Sequence, residues 1–102
     1  MTASTWYNND HLAQYGRLRG SSGWCAQTSD GKNDWLKVDL GKTFEICGVA
    51  TQGDVDNDDW VTDFKLSYSN DGSDWTNYLN TDGSELVNFN LLQMLICFDK
   101  SI

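Results

Sequence analysis

Residues Trp60 to Tyr68 alternate, most regularly from Thr62 onward. Trp60, Thr62, Phe64, Leu66 and Tyr68 fall on one parity, with Asp63, Lys65 and Ser67 between them. Successive side chains of an extended backbone point to opposite faces, so this run predicts a half-buried strand. A second alternation sets Leu36, Val38 and Leu40 against Lys37 and Asp39 and stops at Gly41-Lys42; a third candidate strand runs from Phe44 to Gln52. These two predict a hairpin, or near neighbours in one sheet. Asp-Gly pairs at Asp30-Gly31, Asp71-Gly72 and Asp82-Gly83 mark turns, because Gly accepts positive φ and Asp bonds its own backbone. No dozen-residue window before residue 85 carries a helical period, so the chain reads as all-β. The apolar stretch Leu91 to Phe98 fits either a buried strand or a helical turn or two.

Size and charge narrow the function classes. With 102 residues there is room for one domain. Leu91 to Phe98 contains Gln93 and is far shorter than the roughly 20 apolar residues of a membrane-spanning helix. The net charge of −8 repels phosphate backbones and anionic bilayers. Arg17, Arg19, Lys32 and Lys37 are too scattered in sequence to define a basic patch. Nucleic acid is therefore not expected as a partner, and neutral or cationic ligands are favoured.

Cys25, Cys47 and Cys97 make an odd count, with no Cys-x-x-Cys pair and a single histidine, His11, so no zinc motif is spelled out. Met1-Thr-Ala-Ser begins without a basic-then-apolar leader, and there is no Asn-x-Ser/Thr acceptor. His11 forms no recognisable triad spacing with Ser21 or Ser22, and none of the acidic residues sits in a motif that implies a catalytic cleft. An enzyme is not expected.

Several phrases occur in an order that resembles one module. Thr2-Ala-Ser-Thr5 is followed by Gly23-Trp24-Cys25-Ala26, then Trp35-Leu-Lys-Val-Asp-Leu-Gly41 and Gly48-Val-Ala-Thr-Gln-Gly53, and finally Trp60-Val-Thr-x-Phe64, Tyr68-Ser69, Asp71-Gly72 and Trp75. Together they resemble the discoidin family, the coagulation factor five/eight type C domains. The resemblance implies a jelly-roll β-sandwich or barrel of the galactose-binding-like kind, extracellular and devoted to recognition and cell adhesion. It covers residues 2 to about 85. The family's closing strands are not matched over 86–102, so residues 1–85 read as a partial, truncated domain and 86–102 as a divergent apolar tail, strand or short helix. A sheet short of closing strands exposes edges through which the chain can form oligomers, unless the tail substitutes for a strand. In the family the cysteine of the Trp-Cys phrase pairs with one in the C-terminal strands; here Cys25–Cys47 and Cys25–Cys97 bridges both stay open, as does a free thiol.

Relatives of this kind bind through loops at one end of the barrel, and three loops map onto this chain. The first, Trp6 to Tyr15, carries Trp6, Tyr7, Asn8, Asn9 and His11, aromatic faces mixed with amides and suited to stacking on sugar rings or dipping into a lipid interface. The second, Gln27 to Asp34, carries Ser29, Asp30 and Lys32 on a polar tip. The third, Asp54 to Asp59, places four carboxylates in six residues. Such crowding is relieved by calcium, with Asp54, Asp56 and Asp58 as the candidate ligands and calcium as the candidate cofactor. It is not an EF-hand, because Asp59 stands where Gly is needed and Lys65 where Glu is needed. Trp24, Trp35, Trp60 and Trp75 belong to the framework phrases and are assigned to core and rim packing. The expected function is recognition of a cell-surface or matrix glycan or protein, as part of a longer secreted precursor. Peripheral binding to anionic phospholipid, or a fragment with no activity of its own, are the alternatives; the acidic third loop speaks against lipid.

Overall fold

The computed structural model describes residues 1–27, 33–46, 48–54, 59–88 and 98–99. Among these, the regular structure is strand apart from one 3₁₀ turn, Ala13–Gly16, which agrees with the all-β reading. The strands are β1 (Thr2–Ala3), β2 (Leu36–Lys37), β3 (Glu45–Ile46), β4 (Asp63–Lys65), β5 (Ser67–Tyr68), β6 (Thr76–Asn77), β7 (Leu86–Asn88) and β8 (Phe98–Asp99). All four pairings are antiparallel: β1 with β2, β3 with β8, β4 with β7, and β5 with β6. They fall into two compact units, one holding β1, β2, β3 and β8 and the other holding β4 to β7.

In the first unit, Thr2 opposes Lys37 and Ala3 opposes Leu36. The ladder continues where the Ser4 N–H donates to the Trp35 carbonyl at 3.0 Å. One edge of β2 is taken by β1, and the hairpin expected between β2 and β3 does not form among the described residues. Instead β3 pairs with β8, Ile46 opposite Phe98. The described part of the apolar tail is therefore strand: a segment without family motifs supplies β3 with its partner. The 3₁₀ turn lies close to the β1–β2 pair. A Cβ on Gly16 would meet Leu36 Cδ2 at 3.1 Å and Trp24 Cβ at 3.3 Å, so the bare glycine is what permits the approach.

In the second unit, β4 and β5 share the alternating run identified in the sequence but take different partners. Phe64 opposes Val87 on β7, whereas Tyr68 opposes Thr76 on β6. Leu66 lies between the strands, its carbonyl accepting the Tyr78 N–H at 2.8 Å. Phe64 and Leu66 are half-buried as the pattern requires, but Trp60, Thr62 and Tyr68 are exposed. The pleat fixes which face a residue occupies; only the middle of the run has something packed over that face.

Asp71-Gly72 and Asp82-Gly83 form the expected turns. Gly72 has φ 76°, a region costly for residues with a Cβ, and Asp71 Oδ1 accepts the N–H groups of Ser73 and Asp74 at 2.8 and 2.9 Å. Asp82 Oδ1 accepts Ser84 N–H at 2.9 Å. The third pair, Asp30-Gly31, lies outside the described residues.

No described residue is fully buried. Of the four framework tryptophans only Trp24 is half-buried; Trp35, Trp60 and Trp75 are exposed at 49%, 69% and 47%, which places them at the rim rather than in a core. Lys37 covers the Trp35 ring, its Nζ 5.5 Å from the ring centroid.

Candidate recognition site

The first loop begins where β1 ends, and its root is tied to both ends of the second loop. Asp34, half-buried, accepts the hydroxyls of Ser4 and Thr5 at 2.8 and 2.6 Å. Thr5 Oγ1 in turn accepts Gln27 N–H at 3.1 Å, and the Thr5 carbonyl accepts the Trp24 indole N–H at 2.8 Å. Short hydroxylated residues suit this place because they satisfy backbone and carboxylate together within one extended step. Neither Thr5 nor Asp34 was singled out in the sequence, since polar residues 29 positions apart give no periodic signal.

Beyond this root the loop is held by backbone. The Tyr7 N–H donates to the Cys25 carbonyl at 2.9 Å and the His11 N–H to the Asn8 carbonyl at 3.1 Å. The Asn8 side-chain oxygen accepts Asp10 N–H at 2.9 Å and contacts His11 Nδ1 at 2.7 Å. Asn8 thus turns the chain, and its amide oxygen is engaged. Ser22 Oγ donates to the Asp10 carbonyl at 2.9 Å. On this fixed turn Trp6 and Tyr7 are 47% and 66% exposed, and Asn9 is exposed beside them. The Tyr7 and His11 rings meet edge-to-face, centroids 6.0 Å apart.

His11 is less isolated than a lone histidine in a sequence suggests. Its Nε2 lies 3.4 Å from Asp54 Oδ2, with side-chain exposures of 15% for His11 and 3% for Asp54. The Cys25 thiol joins them: one ligating atom from each of His11, Cys25 and Asp54 lies within 4.8 Å of the others. Cys25 is a free thiol, so neither bridge left open by the sequence is formed. Burial pushes its pKa up, and the carboxylates of Asp54 and then Asp59 push it in the same direction.

The third loop is closed at its base by Asp54 N–H donating to the Asp59 carbonyl at 2.9 Å. Of the calcium ligands expected from the sequence, Asp54 is described and faces His11; Asp56 and Asp58 lie outside the described residues. The same holds for Ser29, Asp30 and Lys32 of the second loop. The structure therefore joins the first loop to the roots of the second through Thr5, and to the base of the third through His11. On the second unit an open depression is lined by Tyr68, Ser69, Asn70, Asp71, Asp74 and Thr76. Its carboxylate Asp71 is held below the usual range by the N–H groups of Asp74 and Ser73 and by the Ser69 hydroxyl, which commits it to the turn.

The model of the F5/8 type C domain family matches residues 1–95. Contactin-associated protein 1 of rat and of mouse are each 42% identical over 74 residues, and the human protein is 40% identical over the same length. Each match covers 72% of this chain and 5% of the relative, so the chain spans a small fraction of the relatives' length. No solved structure matches at comparable significance. The ordered Trp-Cys, Trp-Leu-x-Val-Asp-Leu-Gly and Thr-Gln-Gly phrases, the short antiparallel pairs and the family match agree, and the chain belongs to the F5/8 type C (discoidin) domain family, whose fold is a β-sandwich.

Proposed function

We propose that this module is an extracellular recognition unit, carried in a longer secreted or cell-surface protein, that holds a glycan or protein ligand by its first loop. The observation behind the proposal is the pairing of exposure with rigidity in that loop. Trp6 and Tyr7 present open aromatic faces on a turn that Asn8, Cys25 and Ser22 already fix. A preordered aromatic surface binds without losing loop freedom, and its ring faces suit the apolar face of a sugar or an apolar protein side chain. Asn9 offers an amide beside the rings, and Ser29, Asp30 and Lys32 of the second loop extend the proposed contact.

The relatives' name records an association with contactin, which makes contactin the first protein ligand to test. The charge of −8 disfavours anionic lipid. Of the described lysines, Lys37 and Lys42 lie over the rings of Trp35 and Phe44, and Lys65 pairs with Glu85 at 3.1 Å.

Glycan arrays and immobilised contactin, each probed with and without calcium, test the reading. Binding lost in Trp6→Ala and reduced in Asn9→Ala is the expected result. Retention by both variants, or the absence of any ligand under either condition, contradicts it. Co-sedimentation with phosphatidylserine vesicles at low salt would support the lipid alternative instead.

A further inference from the structure

We propose that His11, Cys25 and Asp54 form a zinc site that staples the base of the first loop to the base of the third. The hydrogen bonds around His11 carry the argument. Asn8 Oδ1 accepts Asp10 N–H, which orients the amide with its oxygen toward His11, so Nδ1 of the ring is the donor in the 2.7 Å contact. In a neutral imidazole the lone pair is then on Nε2, and Nε2 lies 3.4 Å from Asp54 Oδ2. A proton on Nε2 joins these two atoms alone, whereas a metal ion between them also draws in the Cys25 sulfur, and nitrogen, oxygen and sulfur donors converge here.

The donor set selects the cation. Zinc bonds imidazole nitrogen at about 2.0–2.1 Å, carboxylate oxygen at about 2.0–2.2 Å and thiolate at about 2.3 Å, which sets tetrahedral donor separations of roughly 3.3–3.7 Å. The Nε2–Oδ2 distance of 3.4 Å lies in that range. Cys25 Sγ, inside the 4.8 Å limit that encloses all three atoms, needs an approach of at most about 1.5 Å. Calcium suits this group poorly, because it takes six to eight oxygen ligands and no sulfur. Asn8 supplies the outer partner that zinc-bound histidines use to fix their tautomer. On binding, the Cys25 S–H bond breaks, the sulfur electron pair goes to zinc and the proton goes to buffer. A water molecule completes the fourth position. The ligands are 14 and 29 residues apart along the chain, a spacing that belongs to no sequence motif, so only the fold brings them together.

The test uses the reduced 102-residue chain freed of metal, titrated with cobalt(II) and then with zinc. The account expects one equivalent of cobalt, a sulfur-to-cobalt charge-transfer band, displacement by zinc but not by excess calcium, and about one proton released per zinc. The band should vanish in Cys25→Ser and survive in the Cys47→Ser/Cys97→Ser double variant. His11→Ala and Asp54→Asn should each weaken zinc at least about tenfold, and Asn8→Ala about 10- to 100-fold through the outer partner. Far-UV circular dichroism of each variant separates loss of the site from loss of the fold; if Cys25→Ser does not fold, Asn8→Ala and Asp54→Asn decide. A band that persists in Cys25→Ser, one that disappears in the double variant, unchanged zinc affinity in both Asn8→Ala and Asp54→Asn, or no stoichiometric binding overturns the proposal.

Discussion

Asp54 directs its carboxylate at His11, Oδ2 lying 3.4 Å from Nε2, although the two residues belong to different loops and are 43 positions apart. The same carboxylate raises the pKa of the neighbouring Cys25 thiol, after burial and ahead of Asp59. In the metal-free protein, Asp54→Asn removes one of the two anions that oppose the thiolate. Its pKa then falls toward the ordinary range, the thiolate fraction at mildly alkaline pH rises, and iodoacetamide labels Cys25 faster. Peptide mass mapping separates Cys25 from the other cysteines. A labelling rate that is unchanged or slower in the variant contradicts this account of the site.

Asp34 holds the root of the first loop by accepting both the Ser4 and Thr5 hydroxyls. Asp34→Ala leaves two partly buried hydroxyls without that acceptor and is expected to destabilise the chain by about 1–3 kcal/mol. Urea denaturation followed by tryptophan emission measures the loss. Thr5→Val, which removes the bonds to both Asp34 and Gln27 while keeping the shape, should destabilise in the same direction.

Gly72 sits at φ 76° with nothing within 4 Å of where a Cβ would be, so backbone strain alone decides the outcome there. Gly72→Ala is expected to lower stability by about 1 kcal/mol or more, and Gly72→Asn by less, since Asn tolerates this region better. Equal losses for the two variants would mean that the turn has another conformation.

Asp71, Asp82 and Glu85 all have folded-state pKa values below the usual carboxylate range. Backbone hydrogen bonds come first for Asp71 and Asp82, and the Asn77 amide followed by Lys65 for Glu85. Because these values are depressed, the stability they confer is complete above the unfolded range near pH 4 and is lost as pH falls through the folded values. All three groups are exposed, so the effect is small and weakened by salt. The drop in melting temperature between about pH 6 and about pH 3 should be smaller in Asp71→Ala than in the unsubstituted chain. An equal or larger drop contradicts the assignment.

Much of the scaffold was legible in the sequence because its signals are local. The alternation around Phe64 and Leu66, and the Asp-Gly pairs at 71–72 and 82–83, each depend on neighbours a few positions away. Partner choice was not legible. Nothing in Leu36–Lys37 distinguishes β1 from β3 as its neighbour, and the β3–β8 pair recruits residues that lie beyond the family match. Trp6, Tyr7 and Asn9 were assigned to the first loop through the family resemblance, their aromatic and amide composition adding only the kind of ligand. The Thr5–Asp34 root and the His11–Cys25–Asp54 group could not, since each is assembled by chain closure over 14 to 43 residues.

If recognition resides in the first loop, two tryptophans of equal exposure must differ in their effect on binding. The affinity of the unsubstituted chain for its best ligand, from the glycan array or contactin, is measured beside Trp6→Ala and Trp75→Ala, with melting temperatures recorded for all three. Both tryptophans are 47% exposed, but Trp75 belongs to the second unit. The account predicts at least about a tenfold loss for Trp6→Ala, the scale of a buried aromatic anchor, with unchanged melting, and full binding by Trp75→Ala. Full binding by Trp6→Ala together with loss in Trp75→Ala would contradict it.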